Sequence, residues 1–228
     1  MILDFLFPKT CVGCGFWGTY LCENCLNTLP VQNDQICPMC GLRNLNGFTH
    51  ARCRRPWGME GLTSIFRYHG VVRKLVSSLK YRFMADTLKT LINLLVSYEP
   101  FQILGSEEWL VIAVPLYRQR ELWRGFNQAE LIGKALSDYT GWSYKAKLLE
   151  RTRATQPQIS LEKKKRLENV KTAFRVKNVT DGSDEVVLRN KPVLLIDDVW
   201  TTGATMRTCA KELKRVGAKK VWGLTLAA

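Results

Sequence analysis

From residue 62 onward, apolar positions recur with periods that predict alternating strands and helices. Four apolar runs have strand length and cover residues 63–68, 109–115, 191–197 and 221–226. Residues 71–96 space apolar side chains three and four apart, which predicts one or two amphipathic helices. Residues 128–136 and 204–216 show the same periodicity, and Gly217 follows the latter as a C-terminal cap would. This alternation predicts an α/β fold built on a doubly wound parallel sheet.

The first 58 residues lack this periodicity and contain seven of the eight cysteines. The composition changes between Trp57 and Leu62, so we expect a module of residues 1–58 followed by an α/β domain of residues 59–228. No apolar run reaches the ~20 residues that a membrane helix needs. The apolar start of the chain is too short for a secretion signal and contains an acid, Asp4. We therefore expect a cytoplasmic protein without membrane insertion.

The cysteines of the module fall into pairs separated by two residues, and a histidine and a cysteine near its end have the same spacing. A gap of two residues lets both side chains of a turn reach one metal ion, and four such ligands complete a tetrahedron. With eight ligands for two ions no coordination position stays open, so the zinc would be structural. The predicted metal ligands are Cys11, Cys14, Cys22, Cys25, Cys37, Cys40, His50 and Cys53.

Several alternatives bear on this module. Consecutive pairs give the simplest zinc sites, but a crossed arrangement of the pairs stays open, and the second site depends on His50. A disulfide framework is disfavoured in a chain without an export signal, because cytosolic thiols are kept reduced. A redox-active pair would explain one CxxC and not four tandem pairs. Cys209 lies within the last predicted helix, where we expect a small buried apolar residue.

The most specific segment runs from Val193 to Thr205, where an apolar strand leads into two aspartates, a loop and a helix. Carboxylates at the end of a strand can accept hydrogen bonds from two vicinal ribose hydroxyls. Loop amides, threonine hydroxyls and the helix N-terminus can then bind a phosphate. A simple strand-to-helix turn needs only one capping residue, and the chain has neither GxxxxGK[ST] nor GxGxxG after a strand. The candidate residues here are Asp197, Asp198, Thr201, Thr202, Gly203, Ala204 and Thr205.

This segment closely resembles the phosphoribosyl pyrophosphate signature of type I phosphoribosyltransferases. Residues 114–117, Arg120, residues 124–130 and the paired cysteines extend the likeness to nearly the whole chain, which resembles the competence-protein ComF family. His50 stands where relatives usually carry cysteine. The resemblance implies a type I phosphoribosyltransferase-like fold with an N-terminal double zinc ribbon. It also implies phosphoribosyl pyrophosphate as ligand, with Tyr117 and Arg118 nearest the pyrophosphate.

Charge adds a second kind of partner. The formal charge is +14, and seven thiolates with two zinc ions would reduce it only to about +11. Such basicity favours polyanions, and residues 151–177 carry nine Lys or Arg against two Asp or Glu. The candidate contacts for nucleic acid or a closing loop are Arg120, Arg124, Arg151, Arg153, Lys163, Lys164 and Arg166. The lysines could equally form a solvated face, and Trp123 and Phe126 could stack on bases or belong to the core.

Three functions follow from these features. The first is a ComF-like protein that binds a phosphoribosyl ligand and handles single-stranded DNA during uptake, with a DNA-uptake or helicase protein as partner. The second is a salvage phosphoribosyltransferase, in which Asp197 and Asp198 would be catalytic and Mg²⁺ would accompany phosphoribosyl pyrophosphate. The third is a non-enzymatic adaptor that docks through its zinc module. We expect the first, and the acceptor of any transfer reaction stays open.

Overall fold

The computed structural model describes residues 9–78, 102–152, 173–177 and 188–228. Within these parts of the chain, no helix combines the length and the apolar character that crossing a membrane requires. The described elements form a parallel sheet with helices on both faces, a small antiparallel pair of strands, and a cysteine-rich module packed on one edge of the sheet. This confirms the predicted fold class.

Four parallel strands form the sheet in the spatial order β1–β6–β5–β2. The central strand β5 reads as a continuous apolar run because helices cover both of its faces, as parallel sheets require. The side chains from Val193 to Ile196 are fully buried. The strands of this sheet are β1 (Gly61–Phe66), β2 (Leu110–Ala113), β5 (Pro192–Val199) and β6 (Lys220–Ala227).

Alternate residues of β5 point to opposite faces, so the sheet separates two apolar cores. Leu194 and Ile196 join the core beneath helices α2 and α4, whereas Val193 and Leu195 join the core beneath helix α5. The described helices are α1 (Glu23–Asn27), α2 (Gly70–Ser78), α3 (Arg118–Arg124), α4 (Gln128–Thr140) and α5 (Ala204–Arg215). Cys209 of α5 is fully buried, as predicted.

A two-stranded antiparallel pair lies beside this sheet and was not predicted. Strand β3 (Leu149–Arg151) pairs with β4 (Phe174–Val176), and β4 packs on helix α5. Each strand has only three residues, which is too short for a period of two to stand out. The pairing matters because it brings Arg151 towards the end of β5.

The cysteine-rich module covers the outer edge of β1. The Gln32 N–H donates to the Ile65 carbonyl at 2.7 Å, and the Arg67 N–H donates to the Pro30 carbonyl at 2.8 Å. The side chain of Gln35 bonds both backbone groups of Ser64, each at 2.9 Å. These bonds satisfy polar groups that an edge strand would otherwise expose. The change in composition between 57 and 62 therefore coincides with the start of β1, which is packed against the module.

The remaining differences from the predicted elements have local causes. The first strand was predicted at 63–68 but spans Gly61–Phe66, because the chain turns towards α2 through Gly70, whose φ is +51°. Helix α2 confirms the start of the 71–96 prediction, and residues 79–96 lie outside the described residues. Helix α3 was not predicted, because exposed Leu122 and Trp123 give it no buried apolar stripe.

Candidate functional site

The acid pair lies at the carboxyl end of the central strand. Ala113 of β2 is in register with Ile196, and the Val114 N–H donates to the Ile196 carbonyl at 2.8 Å. The segment that leaves β2 towards Tyr117 therefore starts beside Asp197. Parallel strands place their carboxyl ends at one edge, where ligands of open α/β sheets bind.

The loop after the acid pair is tightly packed against Trp200. Gly203 adopts a φ of +70° immediately before helix α5. A Cβ at Gly203 would lie 2.1 Å from the Trp200 ring, so only glycine fits there. Thr201 and Thr202 are exposed, and the first turn of α5 begins at Ala204 with Thr205 beside it. The structure thus places the predicted loop residues together around a helix N-terminus, where backbone N–H groups can receive an anion.

The two carboxylates of the acid pair lie close together and repel each other. Burial raises the pKa of Asp197 well above its usual value, and the carboxylate of Asp198 raises it further. The Asp198 N–H donates to Asp197 Oδ1 at 2.8 Å, and the guanidinium of Arg151 opposes the rise. The ionised pair therefore gains from any ligand that supplies hydroxyl donors or positive charge at this place.

Arg151 is the part of the predicted basic segment that the structure brings to the acid pair. It ends strand β3, is half-buried, and lies with its guanidinium carbon 5.4 Å from the ring centre of Phe174. Its charge acts on Asp197 and on Cys209. The other basic residues predicted for this segment, Arg153, Lys163, Lys164 and Arg166, lie outside the described residues.

Residues after β2 form a short basic helix beside the same edge. Tyr117 is half-buried, and helix α3 starts at Arg118, which is exposed. Trp123 exposes 74% of its surface, which excludes it from the core. Arg124 is half-buried and donates to Gln128 Oε1 at 3.5 Å. Arg120 lies within the same helix, and Phe126 after it is half-buried.

The first metal-ligand cluster consists of four cysteines from consecutive pairs. The thiols of Cys11, Cys14, Cys22 and Cys25 all lie within 4.8 Å of one another, and the Sγ atoms of Cys14 and Cys22 are 3.5 Å apart. Zn–S bonds of about 2.3 Å place the ligands of a tetrahedron roughly 3.8 Å apart. The spacing therefore fits one zinc ion.

The second cluster repeats this construction with a histidine. Cys37, Cys40, His50 and Cys53 place one ligand atom each within 4.8 Å of the others, and Cys40 Sγ lies 3.4 Å from His50 Nδ1. Both clusters open with the same turn, in which the first cysteine N–H donates to the carbonyl five residues on, at 2.8 Å in each case. The candidate ligand sets that the structure brings together are thus consecutive and not crossed, and His50 lies in the second set.

The chemistry of the donor set also fits a divalent ion. Burial raises the pKa of the Cys11 thiol, but backbone N–H groups of Cys22, Cys14 and Gly13 lower it, to about 6. The hydrogen bond that Cys25 makes to Cys11 raises the pKa of Cys25 to about 12. Four crowded thiols cannot all ionise without positive charge between them. A zinc ion supplies that charge and needs thiolates as ligands.

Comparison with known proteins agrees with both parts of the chain. Residues 2–55 match a double zinc ribbon domain, and residues 146–228 match a phosphoribosyl transferase domain. The chain is 30% identical over 215 residues to the DNA utilization protein YhgH of Salmonella typhimurium, covering 91% of this chain and 90% of that protein. It is 30% identical over 205 residues to competence protein ComFC of Streptococcus pneumoniae, covering 88% and 84%.

This chain belongs to the ComF family. The competence protein F of Haemophilus influenzae is 36% identical to it over 119 residues, about half of each chain. In this ComF-family chain, two zinc-ribbon-type cysteine clusters are followed by a phosphoribosyltransferase domain.

Two residues at the ComF-family site were not among the predicted site residues. Buried Asn127 donates from Nδ2 to the Val114 carbonyl at 3.0 Å, and its Oδ1 accepts from the Ala129 N–H at 3.0 Å. It therefore fixes the segment after β2 against α4, and an asparagine before a helical period is a recognisable cap signal. Arg207 contacts the loop from α5, and no local pattern indicates that contact.

The raised pKa of Asp197 predicts that Asp197→Asn stabilises the fold. The pKa of Asp197 is near 4 in the unfolded chain and higher in the folded protein. At pH values between these two pKa values, Asp197 binds more protons in the folded state than in the unfolded state. Its contribution to the free energy of unfolding therefore falls as the pH rises. We expect the variant to unfold a few degrees (~2–5 °C) above wild type near pH 7.5. The difference should shrink as the pH falls towards 4.

Thermal unfolding followed by circular dichroism between pH 4.5 and 8 measures this difference. Asp138→Asn, which neutralises an exposed aspartate of α4, is the control and should unfold like wild type throughout. An Asp197→Asn protein that is less stable than wild type at every pH would show that the carboxylate supports the fold.

Proposed function

We propose that this ComF-family protein binds a phosphoribosyl pyrophosphate-type ligand with Mg²⁺ at the carboxyl edge of the sheet and handles single-stranded DNA on the basic surface beside it. The observation that carries the proposal is the placement of Asp197 and Asp198 directly before a glycine-containing loop and a helix N-terminus. The family relatives named competence and DNA utilization proteins support the second half. The role would be in DNA uptake during natural transformation, in the cytoplasm.

Each part of the ligand has a matching group. Asp197 and Asp198 would accept hydrogen bonds from the two ribose hydroxyls, which relieves the repulsion between the carboxylates. Amides of the loop from Thr201 to Thr205 would receive the 5-phosphate. Tyr117 and Arg118, which leave the neighbouring strand β2 at the same edge, would face the pyrophosphate. Mg²⁺ would arrive with the pyrophosphate and offset its charge.

The DNA surface we propose is helix α3 with the basic residues near it. Its exposed Trp123 offers a face on which a base can stack, and exposed Arg118 offers positive charge for the DNA backbone. Leu122 is 72% exposed beside it, so this short helix presents apolar surface to solvent and not to the core, as a surface that binds a partner does. The surface adjoins the proposed ligand site, because α3 directly follows the segment that leaves β2.

The zinc ions we propose are structural. Four ligands per cluster close each tetrahedron, so no position is left for a reacting water. Residues 9–58 have few buried apolar side chains of their own, so metal binding would supply much of the folding energy of the module. A folded module is needed to cover the edge of β1.

Replacing both aspartates should abolish ligand binding. We expect the double variant Asp197→Ala and Asp198→Ala to lose measurable heat of phosphoribosyl pyrophosphate binding in the presence of Mg²⁺, because both ribose hydroxyls lose their acceptors. Isothermal titration calorimetry measures this, and Asp138→Ala serves as the matched control. Unchanged affinity in a folded double variant would remove the acid pair from the site. Pyrophosphate release from wild type with free bases would favour the salvage reaction.

Trp123→Ala should weaken binding of single-stranded DNA about tenfold, since stacking contributes about 1–3 kcal/mol per base. Fluorescence anisotropy of a labelled oligonucleotide measures the affinity at several salt concentrations. Wild-type affinity should fall steeply with salt, as counterion release requires. The control is Trp17→Ala, which removes a tryptophan that is 72% exposed and lies between Cys14 and Cys22 of the first cluster. Wild-type affinity in Trp123→Ala would exclude α3 as the surface.

The clusters predict two zinc ions per chain by elemental analysis. Cys40→Ala should retain one, because three ligands bind zinc far less tightly than four. Cys209→Ala removes the cysteine of helix α5 that lies outside both clusters and should retain two. One zinc in the wild-type protein that Cys40→Ala also retains would show that the cluster containing His50 does not hold the ion.

A further inference from the structure

One arginine touches both the second metal-ligand cluster and the proposed phosphate loop. Arg207 lies in the first turn of helix α5. Its Nη1 donates to the carbonyl of Pro38 at 2.8 Å, and its Nη2 donates to the carbonyl of Thr202 at 2.5 Å. Pro38 stands between the ligands Cys37 and Cys40, whereas Thr202 belongs to the loop. A single planar guanidinium therefore joins parts of the chain that are far apart in sequence.

The contact with Thr202 sets the direction of a peptide group in the loop. In a planar trans peptide the C=O and N–H bonds point in opposite directions. With the Thr202 carbonyl held by Arg207, the N–H of Gly203 points away from the arginine. The Trp200 ring lies 5.6 Å from the guanidinium and fills the space beside Gly203. The loop is thus fixed between an aromatic ring and a charged side chain.

The contact with Pro38 ties this arrangement to the second cluster. Cys37 is fully buried, and its N–H and carbonyl form the turn that positions Cys40. Three thiolates, one neutral imidazole and one zinc ion carry a net charge of about −1. The guanidinium next to this turn complements that charge. Loss of the metal would loosen the turn and with it the carbonyl that Arg207 holds.

We propose that Arg207 is a positioning residue through which the metal-loaded second cluster orients the phosphate loop, so that zinc at this cluster and a ribose phosphate ligand strengthen each other's binding. Coupling of this kind is reciprocal, because each ligand changes the affinity for the other by the same factor. The inference rests on the proposed function, since it takes the loop from Thr201 to Thr205 as the phosphate site. The first cluster has no such link among the described residues: it packs on the core beneath α2 and α4.

The test combines ligand affinity with zinc release. The variants are Arg207→Met, Arg207→Lys and the control Arg215→Met, which removes an exposed arginine of the same helix. Calorimetry measures affinity for phosphoribosyl pyrophosphate with Mg²⁺. A chromogenic chelator measures the kinetics of zinc release with and without that ligand. The kinetic phase that is present in wild type and missing from Cys40→Ala is assigned to the second cluster. Unfolding temperature and zinc content check that each variant is folded.

We expect Arg207→Met to lower ligand affinity about tenfold, in keeping with the loss of charge-assisted hydrogen bonds. In wild type the ligand should slow zinc release from the second cluster, and in Arg207→Met it should not. Arg207→Lys should recover part of both effects, because it keeps the charge but cannot bond two carbonyls in one plane. Arg215→Met should match wild type.

Two outcomes would overturn the coupling. One is wild-type affinity in an Arg207→Met protein that holds two zinc ions. The other concerns zinc release from Arg207→Met: release is faster than in wild type, but the ligand slows it by the same factor as it does in wild type. That result would show a merely structural contact. Absence of ligand binding to wild type is a different result: it refutes the proposed function, and the coupling with it.

Discussion

The pairing of strand β5 on both of its edges is the constraint on which the candidate site depends. Hydrogen bonds to β2 and β6 fix its register, and two apolar cores fix its depth between the helices. Asp197, which is still paired with Thr225 of β6, therefore lies at a set position relative to the segment after β2 and to the start of α5. A slip of one residue in β5 would turn Asp197 to the opposite face and bury a carboxylate in a core.

That fixed position has an electrostatic cost. Asp197 is half-buried beside Asp198, and its pKa is raised because burial disfavours the charged carboxylate and the charge of Asp198 repels it. Arg151 reduces the cost from the β3–β4 pair, which also packs on α5. Acidic groups held close together against repulsion are typical of sites that bind a ligand able to relieve it. The small antiparallel pair thus contributes charge to the site although it adds no strand to the main sheet.

How far the sequence predicts this molecule depends on whether a feature is local. The run from Val193 to Thr205 encodes a strand, an acid pair, a glycine turn and a helix in order, and all four are found as predicted. The cysteine spacing likewise predicts two clusters, although spacing alone leaves their pairing open. The pairing of β3 with β4 and the contact of Arg207 with Pro38 depend on residues distant along the chain, so no window of sequence contains them. Helix α3 lacks a buried apolar face, so its sequence does not show the apolar periodicity from which a helix is predicted.

The two halves of the cysteine-rich module are built alike but have different neighbours. Both begin with the same hydrogen-bonded turn, so their difference arises from what each packs against. Cys11 and Leu21 join the core under α2 and α4, where the first cluster lies against the sheet as a structural support. The turn at Cys37 instead meets Arg207 at the start of α5. A module that only stabilised the edge of β1 would need no contact with Arg207, which also bonds the loop carbonyl of Thr202, and this is why we propose that the second cluster takes part in ligand binding.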